Sequence, residues 1–224
     1  MPLYIVATPI GNLSDITLRA LETLKASDFI LCEDTRVASK LLSHYEIKVP
    51  MLAFHQHSTE TVIEKMVNLL REGKKLSLIS DAGTPAISDP GGRLVQMVVE
   101  AELEDEVIPI PGVSALTTAL SAAGIPAERF LFLGFPPHKK GRQTLLRQAA
   151  ASEYPVVFFE SKHRILKLLS ELEALIPEKE LIIGRELTKM FEHFYRGRAG
   201  ELYQQIISDP GAQKGEFVVI INNR

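Results

Sequence analysis

Short apolar segments rich in β-branched residues alternate, along the first half of the chain, with longer segments of helical periodicity. In 58–71 the residues Val62, Met66 and Leu69 recur three or four positions apart, which predicts a helix with one face to bury. Ser14 and Asp15 are expected to cap an earlier helix. The strand-like segments lie at 3–8, 28–33, 75–80 and 106–110. Strands that alternate with helices predict a parallel sheet.

The pattern breaks at 124–127, where Gly and Pro follow an apolar helix, so we place a domain boundary there. The two predicted domains are residues 1–123 and 124–224. In the second, strands are expected at 129–135, 155–160, 180–187, 192–197 and 215–223, and helices at 140–150, 162–175 and near 199–207. The close spacing within 180–197 indicates an antiparallel pair. The predicted fold class is α/β, with two α/β domains: a mainly parallel N-terminal sheet and a mixed C-terminal sheet.

Composition narrows the class of protein. The 224 residues are 46% hydrophobic and 24% charged, as in ordinary globular proteins. A net charge of −3 gives no overall basic excess, so a nucleic acid would have to be held by local patches. The single cysteine, Cys32, lies in an apolar segment and is expected to be a core thiol in a protein of the reducing cytoplasm. No signal peptide and no membrane span of roughly 18 apolar residues is expected.

Gly and Pro concentrate where predicted strands end, at the edge where open α/β sheets bind ligands. The first such loop, 8–12, lacks the glycine motifs that cradle a pyrophosphate, and a simple tight turn is the alternative interpretation. The second, 80–92, is longer than a strand-to-helix connection requires. Within it, Gly83 would let backbone approach a ligand closely, and Asp81 offers a carboxylate to hydroxyl or ammonium groups. Its alternative is an elaborate helix cap.

The third loop, 110–115, leads into a helix of small residues, against which a flat group such as adenine could lie. Together, the order TPIGN (8–12), SDAGTPAISDPGG (80–92) and PGVSA (111–115) resembles the tetrapyrrole methylase superfamily, the class III S-adenosylmethionine-dependent methyltransferases. Three further segments resemble the branch that 2′-O-methylates small-subunit ribosomal RNA: FLGF (132–135), VVFFESKHR (156–164) and GRELTKMFE (184–192). The likeness runs from Ile5 to about Ile221. Members of that branch usually continue past this point with a small C-terminal extension.

The resemblance implies S-adenosylmethionine bound in a cleft between the two domains of a homodimeric, cytoplasmic enzyme that needs no metal and no membrane. The cofactor-binding residues it implies are Pro9, Ile10, Gly11, Asn12, Asp81, Ala82, Gly83, Thr84, Pro85, Ala86, Gly112, Ser114, Ala115, Phe135 and Phe159. It also implies methylation of a ribose 2′ oxygen, in a cytidine of the decoding region within an assembled small subunit.

The sequence offers several candidates for the base that takes the 2′-hydroxyl proton. We predict catalytic roles for Glu160, Glu186 and Lys189 because both glutamates end predicted strands. Glu33, Asp34 and His55 are weaker candidates. The first two can equally cap the next helix, and a histidine in a polar loop is usually just exposed.

Cationic side chains of local clusters are predicted to bind the RNA phosphates. These substrate-binding candidates are Arg36, Lys139, Lys140, Arg142, Lys162 and Arg164. A charge cluster is often only a solvated surface, which is the alternative for 138–142. Two rival functions remain open at this point: a small-molecule methyltransferase of the tetrapyrrole type, and a non-catalytic nucleotide- or RNA-binding module.

Overall fold

The computed structural model describes residues 2–55, 58–89 and 91–223, so Pro90 of the second loop lies outside the described residues. The chain forms two compact units, Met1–Ser114 and Ala115–Arg224. The division thus falls before the helix Ala115–Ala122, whereas the sequence suggested a boundary after that helix. This helix contacts the second unit, where Arg196 Nη2 donates a hydrogen bond of 2.6 Å to the carbonyl of Ala122.

The first unit contains a five-stranded parallel sheet, as predicted. Its strands are β1 (Leu3–Val6), β2 (Phe29–Cys32), β3 (Met51–Ala53), β4 (Leu76–Leu78) and β5 (Val107–Ile110), in the order β3-β2-β4-β1-β5. The sequence pattern did not predict β3. Since β4 and β5 flank β1 in a parallel sheet, the loops that follow these three strands leave from the same edge.

Four α-helices connect these strands: α1 (Leu18–Lys25), α2 (Thr35–His44), α3 (Glu60–Arg71) and α4 (Gly91–Glu100). Thr17 caps α1 by accepting the N–H of Ala20, whereas the predicted caps Ser14 and Asp15 lie in a separate 3₁₀ helix, Leu13–Asp15. The core includes Cys32, which is 1% exposed, and burial raises the pKa of its thiol to about 11. The prediction of a core thiol is therefore confirmed.

The second unit holds a mixed sheet, again as predicted. Its strands are β6 (Leu131–Phe132), β7 (Val156–Ser161), β8 (Glu180–Arg185), β9 (His193–Arg198) and β10 (Glu216–Ile221), in the order β6-β7-β10-β8-β9. Among the strands described for this sheet, only β6 and β7 pair in parallel, and the predicted antiparallel pair is β8 with β9. The helices are α5 (Ala115–Ala122), α6 (Arg142–Ala150), α7 (Ile165–Leu175) and α8 (Ala199–Ser208). Within 2–55, 58–89 and 91–223, no helix could cross a membrane.

Candidate cofactor site and substrate-binding loop

The loops after β1 and β4 are joined at one point. The backbone N–H of Thr8 donates to the carbonyl of Gly83 at 2.9 Å, and the N–H of Gly83 donates back to the carbonyl of Thr8 at 3.0 Å. The buried Thr8 hydroxyl adds a bond of 3.2 Å to the carbonyl of Ser80. The two segments that the sequence singled out separately therefore form one bridged structure.

The loop after β5 joins the same structure. The N–H of Ala7 donates to the carbonyl of Ile110 at 3.1 Å, and the Thr84 hydroxyl donates to the carbonyl of Val113 at 3.2 Å. A Cβ added at Gly112 would lie 3.0 Å from the Ala7 Cβ, so glycine permits this close approach. All three candidate loops thus converge at the carboxyl edge of β4, β1 and β5.

Gly83 lies where the three loops meet. Its φ of +78° is in the left-handed region, and an added Cβ would contact Ile10 Cγ2 at 3.4 Å and Val113 O at 3.8 Å. Further along the same loop, Ala86 and Ser88 also have positive φ, +70° and +67°, which is costly for residues with a side chain. Such strain is found mostly where function requires a particular backbone shape.

Carboxylates lie on and beside this loop. Asp81 Oδ1 accepts the N–H of Asp34 at 3.3 Å, which ties the loop after β2 to the middle loop. The pKa of Asp89 is raised to about 6, chiefly by burial and further by the charges of Glu33 and Asp81, against a lowering by the Ser80 hydroxyl. The sequence missed Asp89, because its environment depends on residues from another strand.

Asp34 and Arg36 form an exposed pair beside this edge. Asp34 caps α2 by accepting the N–H of Arg36, and its carboxylate also lies 2.6 Å from Arg36 Nη2. These bonds lower the pKa of Asp34 to about 2. Because the Arg36 side chain is 87% exposed, it can reach a partner in solution even though Asp34 holds it. His55 is exposed, and its backbone N–H bonds to the Ser58 hydroxyl.

Comparison with known proteins identifies the family. The family model of Tetrapyrrole (Corrin/Porphyrin) Methylases matches residues 2–203. The chain belongs to this family. A relative from Haemophilus influenzae, ribosomal RNA small subunit methyltransferase I, is 45% identical over 224 residues, covering 99% of this chain and 78% of the relative. Its namesake from Thermotoga maritima is 41% identical over 222 residues, covering 99% and 98%.

Solved structures of the family have the same fold. The methyltransferase CobJ superimposes with a TM-score of 0.71 at 18% identity, covering 99% of this chain and 94% of that one. Uroporphyrin-III-C-methyltransferase from Thermus thermophilus gives 0.67 at 19% identity, covering 99% and 94%. The predicted fold class and superfamily are confirmed, and family membership identifies S-adenosylmethionine as the cofactor.

The converging loops fit this cofactor chemically. S-adenosylmethionine carries a sulfonium and an ammonium group, which the carboxylates of Asp81 and Asp89 would favour. Its adenine is flat, and the exposed Gly112 presents backbone at this edge, whereas Gly83 is buried. In the second unit, the other two predicted cofactor contacts touch each other: the rings of Phe135 and Phe159 lie 5.5 Å apart, and Phe135 is 51% exposed.

Three predicted functional residues of the second unit are instead committed to one buried ion-pair network. Glu160 is 1% exposed, with one carboxylate oxygen 2.7 Å from Arg164 Nε and the other 3.6 Å from Arg142 Nη1. Arg142, only 3% exposed, also pairs with Glu171 at 2.7 Å. The predictions of Glu160 as a base and of Arg142 as an RNA contact are corrected, because both groups are buried and paired. The Arg164 side chain is 14% exposed and is paired with Glu160.

The remaining catalytic candidates form a second network in the loop between β8 and β9. Lys189 Nζ lies 2.8 Å from both Glu186 Oε1 and Glu216 Oε2. The pKa of Lys189 is raised by hydrogen bonds to both carboxylates, which outweigh burial, and the pKa of Glu186 is lowered by the bond from Lys189 despite burial. Both groups are therefore charged at neutral pH, which makes Lys189 unsuitable as a proton acceptor.

Lys139, Lys140 and Lys162 are exposed, as RNA contacts must be. The first two stand on the loop 136–141, between β6 and α6. Neither forms an ion pair with any other residue in the described part of the chain, so both are available to phosphate. Sequence reasoning could not separate these free cations from the buried Arg142, because charge alone does not reveal burial.

Proposed function

We propose that this protein transfers a methyl group from S-adenosylmethionine to a ribose 2′ oxygen of small-subunit ribosomal RNA. The observation that carries the proposal is the convergence of three family-specific loops on Gly83, in a chain 41–46% identical to proteins named ribosomal RNA small subunit methyltransferase I. The proposed target is a cytidine of the decoding region in an assembled subunit. The proposed active form is a homodimer.

Different residues are assigned to cofactor binding, to accepting the proton of the 2′ hydroxyl and to RNA binding. Asp81, Thr84, Ser114 and the backbone at Gly112 would hold the cofactor on loops that meet at Gly83, with Phe135 and Phe159 as further contacts. The bound cofactor supplies an electrophilic methyl group, which the 2′ oxygen takes as the carbon–sulfur bond breaks and its electron pair remains on sulfur. The protein gains rate chiefly by holding oxygen, carbon and sulfur in line.

We assign Glu186 as the base that accepts the proton of the 2′ hydroxyl. Among the three predicted catalytic residues, it alone is ionised as a base and also partly exposed, at 18%. Lys189 would stay protonated and hold the carboxylate in place through its bond of 2.8 Å. Lys139, Lys140 and Lys162, with Arg36, would bind phosphates.

The deciding experiment maps 2′-O-methyl groups on ribosomal RNA. Small subunits from cells lacking this protein are incubated with the purified protein and labelled cofactor, and uroporphyrinogen is offered in a parallel reaction. The proposal expects label at one ribose of the small-subunit RNA, and none in the tetrapyrrole. Label in the tetrapyrrole only would replace it with a small-molecule activity. Cofactor binding without transfer to either would favour a binding module.

A further inference from the structure

We propose that Glu160, Arg142 and Arg164 are positioning residues: together they form a buried clamp that fixes the loop 136–141 so that Lys139 and Lys140 meet the RNA backbone. This role rests on the proposed function for its RNA partner. The clamp itself rests on contacts within the second unit alone.

Each arginine holds one carbonyl of the double proline that begins the loop. Arg164 Nη1 donates to the carbonyl of Pro136 at 2.8 Å, and Arg142 Nη1 donates to the carbonyl of Pro137 at 3.2 Å. Prolines have no N–H, so these two residues cannot be held through backbone donors of their own. The two arginine bonds therefore fix the loop directly before the lysines.

Glu160 joins the two arginines. It stands on β7, Arg164 precedes α7, and Arg142 begins α6, so the carboxylate links three elements. The N–H of Ser161 adds a bond of 2.8 Å to the same carboxylate oxygen that faces Arg164. Outside this trio, Glu171 holds Arg142 Nε at 2.7 Å, which fixes the guanidinium from its other side.

Burial of such a network is expensive compared with an apolar contact of the same volume, because each charge must leave water. A hydrophobic cluster would hold β7, α6 and α7 together at least as well. What apolar side chains cannot do is donate hydrogen bonds to two adjacent proline carbonyls. The network is therefore suited to fixing the direction of the loop rather than to stabilising the unit.

A fixed loop matters for the lysines, since both side chains are exposed and flexible. Phosphate binding restricts the motion of these side chains, and a backbone that is already held in place lowers the entropic cost of binding. Gly141, with φ of +84°, ends the loop immediately before Arg142. The lysines thus lie between two anchored points, the prolines and the start of α6.

The test is a double-mutant cycle. Glu160→Gln keeps the size of the side chain and removes its charge, and Lys139→Ala/Lys140→Ala removes the cations that the clamp presents. We expect Glu160→Gln to raise the KM for RNA about tenfold, with kcat at saturating RNA and cofactor affinity unchanged. In the Lys139→Ala/Lys140→Ala background, Glu160→Gln should raise the KM for RNA no further. If the role of Glu160 is purely structural, Glu160→Gln would raise the KM for RNA by the same factor in both backgrounds, and that result would overturn the proposal.

Two further measurements test the clamp even if Glu160→Gln folds poorly. Arg164→Lys keeps the charge beside Glu160 but loses the forked donor to Pro136, and should give the same KM effect. Limited trypsin digestion should cut after Lys139 and Lys140 faster in both variants than in the wild type. The matched control is Glu178→Gln, which breaks an exposed pair with Arg198 in the same unit and should change neither readout.

These arms separate the clamp from the function it serves. If the wild-type protein binds no RNA, the proposed function fails, and digestion still reports whether the clamp holds the loop. If RNA is methylated but Glu160→Gln leaves both KM and cleavage at the lysines unchanged, the clamp is wrong and the function stands.

Discussion

Thr8 and Gly83 exchange both of their backbone hydrogen bonds, at 2.9 and 3.0 Å, although they are 75 positions apart in the sequence. This isolated bridge is antiparallel and lies beyond the ends of the parallel strands β1 and β4. The loop after β5 reaches the same point through Thr84 and Val113. A change at Gly83 should therefore be felt in all three loops at once.

We predict that Gly83→Val abolishes cofactor binding. Valine is strained at a φ of +78°, and its Cβ would lie in contact with Ile10 and the carbonyl of Val113, where the three loops meet. The strain should cost about 1–3 kcal/mol of stability. Isothermal titration calorimetry with S-adenosylhomocysteine should give no measurable heat at concentrations that saturate the wild type.

Gly124→Val is the matched control for this substitution. Its φ of +77° gives nearly the same backbone strain, but an added Cβ has nothing within 4 Å. Thermal unfolding should show a similar loss of stability in both variants, with cofactor affinity lost only in Gly83→Val. Normal affinity in Gly83→Val would remove the middle loop from the cofactor site.

Most strands and the mixed second sheet could be predicted, because strand-like and helix-like segments alternate along the sequence. The contacts that define the site could not. The pKa of Asp89 is raised chiefly because the fold buries it, and further because Glu33, from the end of another strand, lies near it. Likewise, Arg142 and Glu160 are polar, and polar residues are normally exposed, so only the fold could show that they are buried.

We predict opposite effects of Asp89→Asn on stability and on binding. A folded-state pKa of about 6, above the usual 3.8, means that the folded protein binds a proton that the unfolded chain has released between these values. Stability from this group is therefore present below pH 4 and lost as the pH rises through 6. At pH 7.5 the neutral Asn variant should be more stable by about 1 kcal/mol after solvent screening, measured by urea unfolding.

The same substitution should weaken the hold on the cationic cofactor. In the wild type, the dissociation constant of S-adenosylmethionine should rise as the pH falls from 7 to 5, because protonation removes a negative charge from the loop. In Asp89→Asn it should be higher at pH 7 and independent of pH over this range. A wild-type constant that does not change with pH would show that Asp89 does not sense the cofactor.

Removing Lys139 and Lys140 should weaken the dependence of RNA binding on salt concentration. The double alanine variant should lower the slope of log K against log salt by about 1.4, because each phosphate contact on a single strand contributes about 0.7. Cofactor affinity should be unchanged. Lys25→Ala/Lys65→Ala removes the same charge from exposed positions of the first unit and should leave the slope as it is. An equal drop in that control would mean that net charge, and not the loop, binds RNA.

The assignment of Glu186 as proton acceptor makes a specific prediction about the pH dependence of kcat. The bond from Lys189 keeps the pKa of Glu186 below its usual 4.5, so at saturating cofactor and RNA kcat should be flat from pH 8 down to about 5. Glu186→Gln should lower kcat about 100-fold with little change in cofactor affinity. An acid limb near pH 6 would instead point to a group with the pKa of Asp89, and disappearance of that limb in Asp89→Asn would transfer the role to the first unit.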